Sequence, residues 1–137
     1  MNAFGWAWLA ATFALAVHVA DEATHDFLGW YNPRVLAIRR ALGGIPFPPT
    51  FTLLPWLAGL VAAVLLLGSL APSAFAGKSW MPPLAYVLAV IHVANGLLHI
   101  AGALVTRRRV PGVLSAPLLL AAGVWLAIAA ARLHGSG

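Results

Sequence analysis

The chemistry available to this chain is concentrated in two short segments. His18, Asp21, Glu22 and His25 stand three or four residues apart within HVADEATH, and His92, Asn95 and His99 keep the same frame within HVANGLLH. On a helix turning about 100° per residue, each set falls in a sector roughly 100° wide. Imidazole and carboxylate suit zinc, iron, manganese or copper, and helical bundles build di-metal sites from Glu and His at this spacing. His18, Glu22, His25, His92 and His99 are therefore candidate ligands for one or two divalent transition ions, with zinc and iron the first choices. Asp21 and Asn95 are placed to orient those ligands or to join them. Glu22 and Asp21 are the candidate catalytic carboxylates.

These residues must be positioned by apolar helices. Of 137 residues 62% are hydrophobic and 8% charged, against about a quarter charged in soluble domains. Four stretches approach the roughly 20 residues that a helix needs to cross hydrocarbon: 4–27, 51–70, 82–105 and 112–132. The fold expected is all-α, a four-transmembrane-helix bundle forming one integral membrane domain over residues 1–137. The first span has no Lys/Arg before it and reads as retained rather than cleaved. Its break is expected at Asn32-Pro33, before an interfacial helix in VLAIRRAL. The match between the two His segments, each late in a span and followed by a basic turn, reads as a duplicated helical hairpin. Gly96, opposite the carboxylate of the other half, is expected to leave room for a ligand or for Glu22.

An ionisable group inside a span normally faces the bundle and serves a function. Asp26, by contrast, reads as an ordinary interfacial residue, and His134 in the HGSG tail as surface. No cysteine is present, which excludes disulfides, thiolate metal sites and cysteine nucleophiles. Ser115 and Thr24 show no arrangement that suggests a serine nucleophile.

The formal charge of +5 comes in clusters beside the spans, a pattern of headgroup contact with no nucleic acid partner. Arg34, Arg39, Arg40, Arg107, Arg108 and Arg109 fall in loops one and three, against Lys78 and Arg132 on the other side. Loops one and three are thus expected in the cytoplasm and both termini outside, in a multi-pass protein of the cytoplasmic membrane. Trp6, Trp8 and Trp80 would then mark the outer interface and Trp30 the inner one. The cluster lies near the inner headgroups, so a membrane lipid, an isoprenoid or another apolar small molecule is the partner expected. Trp30, Trp56, Tyr86 and Trp125, with Phe27, are candidate pocket walls, and Arg34 a candidate contact for an anionic headgroup.

Several functions fit these residues. A His/Glu metal site would support hydrolysis or, with iron, oxidation of a lipid-like substrate. Without metal, the same groups could exchange protons with an apolar substrate, as in an isomerase or cyclase. Bis-histidine haem between spans one and three is a third reading. A metal or proton carrier is a fourth, and four short spans would then call for a homo-oligomer.

HVADE at residues 18–22 resembles the HXXEE motif that names a family of small bacterial membrane proteins. The later stretch, from His92 through the Arg107–Arg109 turn and Pro111-Gly112 to Leu120, is similar to that family's second characteristic region. Asp21 stands where the motif has its first Glu. The resemblance implies a bacterial inner-membrane protein and supports Glu22 as a site residue, but it implies no particular reaction.

Overall fold

The computed structural model describes residues 2–134, the side chain of His134 excepted, so the reading of that histidine lies outside the described residues. Six helices follow one another among the described residues: α1 (Ala3–Thr24), α2 (Phe27–Ala41), α3 (Leu53–Ser69), α4 (Ala71–Phe75), α5 (Met81–Thr106) and α6 (Ala116–His134). Four segments are long and apolar enough to cross a membrane: α1, α3 with α4, α5, and α6 through Leu133. The fold is the expected all-helical one, compatible with a four-helix bundle, and its apolar helices are those of a membrane protein.

Local chemistry sets the helix ends. The Asn2 carboxamide oxygen accepts from the N–H groups of Phe4 and Gly5, while its amide donates to the carbonyls of Ala74 and Phe75. One side chain thus caps α1 and ties it to the end of α4. The chain leaves α1 at His25–Asp26, seven residues before the expected break. Asp26 adopts the left-handed conformation (φ 52°) and caps α2 by accepting from the Gly29 N–H at 3.2 Å. Asp is among the few residues that visit that region readily. Pro33 lies inside α2, where it removes one ladder bond without ending the helix. The helix expected in VLAIRRAL is therefore longer than that segment and begins beside the end of α1.

The core lies between α1, α5 and α6. It is built from small and medium side chains, among them Ala7, Ala11 and Ala14 of α1, Ala85 and Ala89 of α5, and Ala122, Ala129 and Ala130 of α6. Small residues allow close helix approach, which is how spans associate where burial from water supplies no drive. Gly96 belongs to this packing. A Cβ there would stand 2.9 Å from the Ala116 carbonyl oxygen and 3.2 Å from the Leu120 Cβ. Gly96 therefore lets α6 approach α5 and does not provide the expected room for a ligand. Gly123 does the same from α6, where a Cβ would stand 2.9 Å from the His92 Cβ.

Trp8 also departs from expectation. It is fully buried rather than interfacial, and its indole N–H donates to the Leu67 carbonyl at 2.8 Å. That carbonyl, near the end of α3, accepts from the Leu70 N–H at 3.2 Å as well as from Trp8. α3 packs on α1 and α4 and contributes no buried residue of its own.

Candidate metal centre

α1 presents His18 and Glu22 one turn apart near its C-terminal end, and α5 presents His99 from its last two turns. The three side chains are only 1%, 6% and 5% exposed. Glu22 Oε1 lies 3.1 Å from His99 Nε2 and 3.5 Å from His18 Nε2. Taking one donor atom from each residue, all three fall within 4.8 Å of one another, a spacing suited to a single ion. A buried carboxylate needs a partner of this kind, because stripping it of water without compensation costs several kcal/mol, on the order of 5 or more.

The turn before α6 closes the site. Gly112 sits at φ +83°, and a Cβ on it would lie 2.7 Å from His99 Cε1 and 3.0 Å from His18 Cε1. Three residues on, Ser115 joins two parts of the cluster. Its backbone N–H and its hydroxyl both donate to Asp21 Oδ2, at 3.0 and 2.7 Å. The hydroxyl proton being used there, Ser115 Oγ accepts from His18 Nδ1 at 2.8 Å. With the proton of a neutral His18 on Nδ1, the Nε2 lone pair is left to accept from Asn95 or to bind an ion. Metal-ligating histidines are commonly held this way, with the second nitrogen donating to a neighbour. Asn95 Nδ2 lies 3.2 Å from the same Nε2.

Sequence spacing put seven polar residues on matching faces, and the structure separates them. His18, Glu22 and His99 form the buried group. Asp21 turns toward the start of α6, where its carboxylate suits the positive end of the helix dipole. His25 lies outside the group: its side chain is 44% exposed and contacts Asp21 Oδ1 at 2.9 Å. His92 also lies outside, buried deeper along α5 with Nε2 donating to the Ala11 carbonyl at 3.0 Å. Asp21 and Asn95 each contact the group through one hydrogen bond or one intervening side chain, as orienting residues do.

The rings of His18 and His99 meet edge to face with centroids 4.8 Å apart, which leaves no gap for a macrocycle between them. The Ser115 hydroxyl stands between His18 Nδ1 and Asp21 Oδ2, at 2.8 and 2.7 Å, a contact that the sequence spacing does not disclose. Its actual place was still readable. Ser-Ala-Pro at 115–117 is a helix-start signal, and the N-terminus of α6 lies level with the ends of α1 and α5.

Two spaces reach the group. A cavity of about 410 Å³ between α2 and α5 is lined by Phe27, Trp30, Tyr31, Arg34, Val35, Ile38, Pro48, Asn95, Leu98 and His99. A smaller opening of about 270 Å³ is lined by Glu22, Thr24, Asp26, Phe27, Leu53 and Trp56 among others. Phe27 stands in both walls, with its ring 6.0 Å from that of His99 and 5.7 Å from that of Trp56. Of the expected pocket residues, Trp30, Arg34 and Trp56 therefore border the site. Tyr86 does not, being 13 residues before His99 and thus about 20 Å away along α5; it lines a separate hollow with Val90 and Ile128. Trp125, 45% exposed, is ten residues beyond Ser115 on α6, about 15 Å away. No protein-family model, curated protein or solved structure matches this chain.

Proposed function

We propose that the chain is an integral membrane metalloenzyme in which His18, Glu22 and His99 hold one zinc or iron ion beside a chamber for an apolar, lipid-like substrate. The observation that carries this reading is a buried group of two imidazoles and one carboxylate, all within 4.8 Å, in a membrane helix bundle. Three protein donors leave coordination positions open, as in hydrolytic zinc sites and in two-histidine, one-carboxylate iron sites. An ion bound there would polarise a substrate oxygen or, as iron, support oxidation.

The protein's own groups have separate parts. Asp21 and Ser115 hold the His18 ring, Gly112 admits the two imidazoles, and Phe27 and Trp30 form apolar walls that keep bulk water from the chamber. Orientation with loops one and three in the cytoplasm of a bacterial cell belongs to the same reading, supported by the six arginines at the site's end of the bundle.

Metal content of detergent-purified protein tests the proposal. One equivalent is expected in the wild type and in His25→Ala, and less than about a tenth in a His18→Ala/His99→Ala variant. Wild type that holds no metal, and takes none up from zinc or ferrous solutions, would overturn it.

A metal-free acid/base enzyme is favoured by one observation, the 3.1 Å contact between Glu22 Oε1 and His99 Nε2, which a shared proton would also explain. That reading expects ligand turnover to survive chelators and to be lost in Glu22→Gln.

A further inference from the structure

We infer that the cavity between α2 and α5 binds a single-chain amphiphile with an anionic head, the head on Arg34 and the chain along the aromatic wall toward His99. This deepens the metalloenzyme reading by naming its substrate class, since His99 belongs both to the metal group and to the cavity wall.

Three observations support it. The cavity wall is almost wholly apolar, with Arg34, Asn95 and His99 its main polar points and the Tyr31 hydroxyl already donating to the Pro49 carbonyl. Its volume, about 410 Å³, is near the lower end of ligand sites, roughly 300–1,000 Å³. That suits one hydrocarbon chain better than the two of a bilayer phospholipid.

The third concerns charge. The Arg34 guanidinium lies 4.3 Å over the Trp30 ring and donates through Nη1 to the Trp30 carbonyl at 2.6 Å. No carboxylate lies within ion-pair distance of it among the described residues. The chain has only three acids. Asp21 and Glu22 are engaged in the histidine cluster, and Asp26 caps α2. Arg34 borders the cavity, and its guanidinium has no protein carboxylate to meet it among the described residues. A planar fork of this kind pairs best with a carboxylate or phosphate.

Photolabelling in phosphatidylcholine nanodiscs tests the inference. The probe is palmitic acid carrying a mid-chain diazirine, with peptides mapped by mass spectrometry on metal-stripped and metal-loaded protein. Labels should concentrate on Trp30–Ile38 and Asn95–His99 in both forms, and unlabelled palmitate should compete where hexadecanol does not. Arg34→Gln should cut labelling about tenfold, the loss of one charge-assisted hydrogen bond. Leu98→Trp should block it by filling the cavity.

Labels spread evenly over the exposed face of α3, or unchanged in Arg34→Gln, would overturn the proposal. Stronger cavity labelling by a diazirine phosphatidylcholine would do so as well, and would assign the space to a bilayer lipid. A chain that binds no metal yet labels at the cavity would sink the metal centre and leave this inference standing. A chain that binds metal and labels nowhere in particular would do the reverse.

Discussion

His18 is the residue on which the site turns, because both of its ring nitrogens are committed. Nδ1 donates to Ser115, whose hydroxyl in turn donates a hydrogen bond to Asp21, and Nε2 faces Glu22 and Asn95. Removing the relay should loosen the ring without removing a ligand. Ser115→Ala is expected to weaken metal affinity by about 10- to 100-fold, measured by competition with a chromophoric chelator. Gly112→Ala should act more severely. The left-handed backbone alone costs about 1–2 kcal/mol in a residue with a Cβ, and that Cβ would meet both imidazoles. Lower thermal stability together with lost metal is expected, and a variant that binds normally would contradict the closure described here. His18, Glu22, His99 and Asn95 were legible in the sequence because chemistry-bearing side chains are rare in apolar spans. The exclusion of His25 and His92 was not. A 100° sector cannot say that one end of it faces solvent past the last turn, nor that a neighbouring carbonyl takes up a histidine one level deeper.

Between helices, the close approach of α5 and α6 depends on Gly96 and Gly123. Valine at either position would press on backbone carbonyls or on His92, and each substitution should lower stability by about 1–3 kcal/mol. Thermal unfolding in detergent measures this, and unchanged melting in both would contradict the packing. The four apolar spans were legible to within a few residues, since length and hydropathy alone specify them. The start of α2 was not. Asn32-Pro33 is the louder break signal, yet Asp26 ends α1 by taking the left-handed conformation that caps the next helix. The same shift brings Phe27 and Trp30 beside His99, so the element boundary decides which aromatics line the cavity. The repeated His segments did not announce their unequal surroundings either. α6 packs on both α1 and α5, whereas α3 packs chiefly on α1.

For the molecule as a whole, the cluster, the cavity and the loop-one and loop-three arginines all lie at one end of the bundle. The absence of cysteine makes the topology directly measurable. Single cysteines replacing Arg40 and Arg108 should be protected from an impermeant thiol reagent in intact cells, and one replacing Lys78 should react. The opposite pattern would reverse the orientation and leave the site unchanged. Charge asymmetry carries that expectation, while the end of the bundle that holds the cluster is legible from the position of the histidines in their spans.

The most direct test of the central claim is X-ray absorption spectroscopy of the protein loaded with zinc or iron. Two imidazoles and one carboxylate from the chain are expected around each ion, with one imidazole lost in His99→Ala and none lost in His25→Ala or His92→Ala. A shell of four imidazoles, or one unchanged in His99→Ala, would contradict the centre described here.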